Sequence, residues 1–125
     1  MITRIHAATV IVDDQDKALD FYVNTLGWNK AIDNQMGPEM RFVTVVPPGG
    51  QTELALGLAS WFDEGKVPPK GHTGISLIAE DIDATVQTLT ERGVKFKEPV
   101  AMFPWGSRAT WFYDPFGNEF FLAEE

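Results

Sequence analysis

The strongest constraint on what this chain can fold into is that its two halves repeat. ATVIVDDQDKAL at residues 8–19 and ISLIAEDIDATV at residues 75–86 match in residue type at most positions, offset by 67. Each run starts apolar and β-branched, passes through acidic residues and continues with apolar residues at helical spacing, which predicts a strand followed by a capped helix. A repeated supersecondary unit predicts two like modules. Module one reads as strand 5–12, helix 15–26 and strands 28–33, 40–46 and 52–58. Asp14 caps its helix, Ala18, Leu19, Tyr22 and Leu26 share one face, and Gly27 ends it. Module two follows a loop at 59–70 and reads as strand 72–79, a helix capped by Asp81 with Ile82, Val86 and Leu89 on one face, strand 94–99 and a hairpin. The order is β-α-β-β-β twice, with module one at about 1–60 and module two at about 71–125 of a single domain spanning 1–125.

The closing hairpin lies in PWGSRATWFYDPFGNE, residues 104–119. Pro115 presets one backbone angle, Asp114 can bond the backbone two residues on, and Gly117 tolerates positive φ, so residues 114–118 form a turn. Aromatic residues flank it on both sides. Trp111, Phe112 and Tyr113 enter and Phe120, Phe121 and Leu122 leave, which gives the hairpin an apolar face. Trp111 and Phe112 are adjacent in a strand, so one of them is core and the other is not.

Composition narrows the function. A net charge of −8 and a pI near 4.6 argue against nucleic acid and anionic membranes as partners, since both require basic patches. The absence of cysteine excludes disulfides, thiolate nucleophiles, iron–sulfur clusters and sulfur-built zinc sites. No apolar run approaches the roughly 20 residues of a membrane-spanning helix, and no secretory leader follows Met1, so a soluble, cytoplasmic protein is expected. Ser76 and Ser107 have no His–Asp pattern beside them, and the paired glycines lack the Lys-Ser/Thr of a phosphate loop.

Three stretches carry a family resemblance: VDDQDKALDFYVNTLGW at 12–28, EDIDATVQTLTERGVKF at 80–96, and PWG with WFYDPFGNEFFL within 104–122. Through them the whole chain resembles the vicinal oxygen chelate superfamily, which includes glyoxalase I, extradiol dioxygenases, fosfomycin-resistance enzymes and bleomycin-binding proteins. The resemblance implies an α+β fold of two tandem βαβββ modules forming a curled sheet with a concave cleft, often completed across a homodimer. In metal-dependent members four ligands, typically His and Glu, project into that cleft, and the metal chelates two neighbouring substrate oxygens as charge develops.

The chain contains His6, Glu53, His72 and Glu119 in that order, but their register disagrees with the family pattern. Anchoring on Asp14 with Phe21-Tyr22 puts the first ligand position at Ala7, anchoring on Asp81 puts the third at Gly74, and the repeat offset relates the two. Asp114-Pro115 puts the fourth at Phe121, and the second falls near Gly57. His6 is one residue out of register, which turns it to the opposite face. His72 and Glu119 lie two residues away, roughly 6.6 Å at strand rise, whereas ligands must converge to about 2.0–2.2 Å of one ion.

The expectation is therefore a metal-free member with no cofactor, binding a small organic molecule, aromatic ones included, in the manner of the bleomycin-binding branch, as a homodimer. The candidate ligand-binding residues are Ala7, Thr9, Gly57, Gly74, Ser76, Trp105, Arg108 and Phe121, with Trp61 or Trp111 as further ring faces. Glycine and alanine leave room, the rings offer flat surfaces, and Arg108 offers a group for an anionic or polar substituent. Two alternatives stand beside it. One is a metal-dependent enzyme of the glyoxalase I or dioxygenase type; the other is a metal-free enzyme using Glu119, Glu53 or Tyr113 for acid–base work.

Overall fold

A computed structural model describes all 125 residues, which divide into two compact units, Met1–Pro69 and Lys70–Glu125. The first unit contains β1 (Ala7–Ile11), α1 (Gln15–Leu19), β2 (Asn29–Gln35), β3 (Arg41–Val46) and β4 (Glu53–Gly57), with sheet order β1-β4-β3-β2. The second contains β5 (His72–Ala79), α2 (Ile82–Glu91), β6 (Lys95–Phe96), β7 (Ala101–Met102), β8 (Arg108–Tyr113) and β9 (Glu119–Glu124), with order β5-β9-β8-β6 and β7 also on β8. In each unit the first strand runs parallel to the last and the other pairings are antiparallel. The fold is α+β, and the repeat in the sequence is a repeat of topology.

Both helices start where side chains satisfy orphan amides. Asp14 accepts from the Lys17 N–H at 3.0 Å and Asp81 from the Ala84 N–H at 3.1 Å. Gln15 then ties the first helix to its sheet, donating through Nε2 to the carbonyls of Arg41 and Leu56 at 2.8 and 2.9 Å. Each sheet buries one face against its helical segment. In the first unit the buried set includes Val10, Val12, Ala18, Tyr22, Val43, Val45, Leu54 and Leu56; in the second it includes Ile82, Leu89, Phe112, Phe120 and Leu122. Phe112 and Phe120 face each other across β8 and β9 with ring centroids 5.4 Å apart. Phe112 is thus the core member of its adjacent aromatic pair, and Trp111 lies on the other face.

Three local features differ from the sequence expectation. The segment after α1 winds as a π-helix over Asp20–Thr25, with Leu26 N–H donating to the Phe21 carbonyl at 2.9 Å. The wider turn lets two adjacent rings, Phe21 and Tyr22, both turn inward and meet edge-on at 5.1 Å, while Leu19 and Leu26 stay half-buried. The strand expected at 94–99 is two short ones, β6 and β7, because Pro99 between them has no N–H to give the ladder. Thr110 Oγ1 instead donates to the Glu98 carbonyl at 2.6 Å. β1 begins at Ala7 instead of residue 5, and Ile5 is exposed.

The hairpin turn forms as its residues predict. Asp114 is buried and its Oδ1 accepts from the backbone N–H groups of Phe116 and Asn118, both at 2.9 Å, while Oδ2 accepts from Asn118 Nδ2 at 2.8 Å. Gly117 sits at φ +84°, a conformation other residues enter at a cost. This turn sets the register of β8 on β9, and hence which aromatic side chains share a face.

Candidate functional site

In the second unit, strand register brings Ser76, Phe121 and Trp111 side by side across β5, β9 and β8. Alternation then assigns Gly74 and Ser76 of β5, Glu119 and Phe121 of β9 and Trp111 and Tyr113 of β8 to one face, opposite the Phe112, Phe120 and Leu122 core. His72, at the start of β5, pairs with Glu119. A pocket of about 290 Å³ opens on this face, lined by His72, Gly74, Ser76, Trp105, Trp111 and Phe121. Its walls are rings in mutual contact. Trp111 meets Phe121 edge-on at 4.7 Å, and Phe103, from the loop after β7, contacts Phe121 at 5.3 Å and Trp105 at 5.0 Å. Trp105 leans on Phe121 at 6.2 Å yet remains 65% exposed. An exposed indole held against other rings offers a ready stacking surface.

Gly74 contributes space. Its φ of +72° is left-handed, and nothing lies within 4 Å of where a Cβ would stand. Backbone conformation demands glycine there, and the consequence is an open floor between His72 and Ser76.

A polar cluster adjoins the pocket at His72. Glu119 Oε1 lies 3.6 Å from His72 Nδ1 and 3.7 Å from Lys97 Nζ, and Lys97 Nζ also stands 5.6 Å over the Trp111 ring. The Glu119 side chain is only 14% exposed, whereas those of His72 and Lys97 are half exposed or more.

The corresponding face of the first unit is covered around Ala55 and Gly57, both buried, while Thr9 stays exposed. Pairing of Thr9 with Ala55 and of Ser76 with Phe121 shows that Ala55 is the register counterpart of Phe121, two residues before Gly57 on the same face. Trp61, in a 3₁₀ turn at Ala59–Trp61, lies over this floor and stacks on Phe42 at 5.7 Å. A Cβ on Gly57 would meet Thr9 Cγ2 at 2.8 Å and Trp61 Cε3 at 3.1 Å, so glycine here serves close packing. Trp61 Nε1 is buried without a hydrogen-bond partner. Glu53 accepts from Thr44 Oγ1 at 2.6 Å and pairs with His6 Nε2 at 3.5 Å.

Of the residues singled out from sequence, Gly74, Ser76, Trp105 and Phe121 converge on the pocket. Ala7, Thr9 and Gly57 share the corresponding face of the first unit, where Gly57 is buried, Ala7 half-buried and Thr9 exposed. Arg108 goes elsewhere. It has the parity of Thr110 and Phe112, turns to the helix side of β8 and makes a two-pronged contact with Asp83 at 2.8 Å through each terminal nitrogen, with Glu124 at 3.8 Å. That contact lowers the Asp83 pKa and raises that of Arg108. Phe103 and Lys97 were not singled out from sequence, His72 was considered only as a displaced metal ligand, and Glu119 as a displaced ligand or an acid–base group. The parity of His72 with Gly74, and of Glu119 with Phe121, was the available signal.

The four register positions for a metal carry no side-chain donor atom. His6 with Glu53 and His72 with Glu119 form separate pairs, one in each unit, and no group of three or more His, Cys, Asp or Glu side chains is placed to hold an ion. These residues do not fit the four-ligand centre of the metal-dependent members.

The description of the Glyoxalase/Bleomycin resistance protein/Dioxygenase superfamily matches residues 4–122. Among solved structures, a member of that superfamily from Sphaerobacter thermophilus DSM 20745 is 65% identical with a TM-score of 0.94, covering 99% of this chain and 98% of that one. TnmS3, an antibiotic binding protein from Streptomyces sp. CB03234, is 38% identical with a TM-score of 0.83, covering 98% and 96%. The uncharacterized protein YetH of Bacillus subtilis (strain 168) is 32% identical across 99% of this chain and 100% of its own length.

Proposed function

The chain belongs to the Glyoxalase/Bleomycin resistance protein/Dioxygenase superfamily, and from that premise we propose that it binds and sequesters a small, flat organic molecule without a metal. The observation that carries this reading is the ring-walled pocket of about 290 Å³ in the second unit, a volume suited to a compact ligand. Trp105 and Phe121 supply stacking faces, Trp111 the wall, and Gly74 and Ser76 the space between them. The similarity to an antibiotic binding protein over nearly the full length of both chains supports binding as the activity. The lack of donor atoms at Ala7, Gly57, Gly74 and Phe121 supports a ligand held by rings and not by a chelated ion.

We place the protein as a homodimer, because two short modules each present an outer strand, β1 or β5, with a single neighbour in its sheet. Light scattering at micromolar concentration checks this, and a monomer contradicts it.

The binding reading is tested with 2-naphthol as a flat probe, by equilibrium dialysis in the presence of chelator, together with elemental analysis of the native protein. Saturable binding without stoichiometric metal supports it, and replacing Trp105 by alanine should cost about 1 kcal/mol of affinity with folding retained. A stoichiometric metal lost on His72→Ala or His6→Ala, or binding abolished by chelator, contradicts it.

A further inference from the structure

Glu119 is almost enclosed, yet its carboxylate accepts no hydrogen bond from any protein group. His72 and Lys97 both approach Oε1, at 3.6 and 3.7 Å, which are ion-pair separations beyond hydrogen-bond length. Its oxygens are not sealed from solvent either, since the one enclosed side-chain atom lacking a partner is Trp61 Nε1. A carboxylate in that condition is held by no protein donor and is open to one from a bound molecule in place of water. Its place is fixed relative to the pocket: His72 lines the pocket, Lys97 stands over the Trp111 wall, and Glu119 is two residues before Phe121 on the same face of β9.

We infer that Glu119, His72 and Lys97 form the polar anchor of the pocket and select a neutral, hydroxyl-bearing aromatic ligand, a conclusion that rests on the pocket reading above. Charge at this corner disfavours the simpler choices. An anionic substituent meets Glu119, and a cationic one meets Lys97. A hydroxyl satisfies both sides, because its O–H donates to Glu119 while its oxygen accepts from Lys97 Nζ or a His72 ring N–H. Bonds of this kind to charged groups are the stronger ones. The rings supply affinity for any flat molecule, and the corner supplies the choice among them.

Three naphthalene probes separate these contributions by equilibrium dialysis: 2-naphthol, 2-methoxynaphthalene, which accepts but cannot donate, and 2-naphthoate, which is anionic. The native protein is expected to bind 2-naphthol about tenfold more tightly than either of the others, the equivalent of one charge-assisted hydrogen bond. Glu119→Leu should bring 2-naphthol down to the level of 2-methoxynaphthalene, and Lys97→Met should remove part of the preference should the leucine variant fail to fold. Phe121→Ala should weaken all three. Equal binding of 2-naphthol and 2-methoxynaphthalene overturns the anchor and leaves the ring pocket standing; tightest binding of 2-naphthoate overturns it in favour of an anion site on His72 and Lys97. No binding of any probe overturns the pocket itself.

Discussion

The two units share a topology and differ in what lies on the face opposite their helices. In the first, Ala55 and Gly57 are small and buried, and the chain's own Trp61 lies against Gly57, stacked on Phe42. In the second, the register-equivalent positions include Ser76 and Phe121, and the nearby loop tryptophan, Trp105, stays exposed beside an open pocket. The two sheets are alike in topology; small side chains under a tryptophan leave one largely covered, and large side chains around a glycine leave the other open. The packed face contributes stability, and the open one is the face proposed to bind.

Breaking this contrast at Trp61 should have the largest effect. Trp61→Ala removes the ring that fills the first face and should destabilise the protein by about 2 kcal/mol, below the 3–5 kcal/mol of a fully buried tryptophan because Trp61 is half-buried. Urea denaturation measures the loss, and dialysis of the variant should detect a second, weaker site for 2-naphthol. No loss of stability would mean that Trp61 does not pack the floor.

The two glycines sharpen the comparison. Gly57→Ala drives a methyl group against Thr9 and Trp61 at 2.8 and 3.1 Å, and overpacking of this kind costs about 1–3 kcal/mol. Gly74→Ala meets no atom within 4 Å but must hold φ +72°, a backbone cost of about 1 kcal/mol. Pairing each with Trp61→Ala in a double-mutant cycle should relieve part of the Gly57→Ala penalty, the rest coming from Thr9, and leave the Gly74→Ala penalty unchanged. Relief at both positions, or at neither, contradicts the assignment of packing to one unit and backbone strain to the other.

The smallest effect concerns charge in the first unit. Arg41 hydrogen-bonds Asp33 through two nitrogens at 2.8 and 2.9 Å and holds its pKa down to about 2 from 3.8. A depressed carboxylate pKa stabilises the fold above the unfolded value, so this contribution is present above about pH 4 and is lost as pH falls through 2. Native protein should therefore lose stability more steeply over that window than Asp33→Asn. Parallel pH profiles for the two proteins would exclude a role for the pair.

Much of this was legible in the sequence because it rests on local chemistry. Asp14 and Asp81 cap helices, Asp114 and Asn118 build the turn, and Gly27 and Gly93 stand at positive φ after their helical segments. The choice of Gly74 followed from Asp81 and the repeat offset, and that of Phe121 from Asp114-Pro115; both line the pocket. What was hidden depended on absolute strand parity or tertiary packing. Arg108 reads as a pocket residue until β8 is fixed on β9, whereupon it faces Asp83. Gly57 stood for Ala55 because the loop before β4 leaves register open by two residues. Nothing local distinguishes Trp61, which covers its own sheet, from Trp105, which leans on its neighbours and stays exposed.

The most direct test of the open second unit and closed first unit uses the four tryptophans as reporters. Indole N–H resonances of ¹⁵N-labelled protein, assigned by single Trp→Phe variants, are followed during titration with 2-naphthol in chelator. The account predicts saturable shifts at Trp105 and Trp111, with Trp28 and Trp61 unmoved. Shifts confined to Trp61, or shifts that appear only when a divalent metal is supplied, would contradict it.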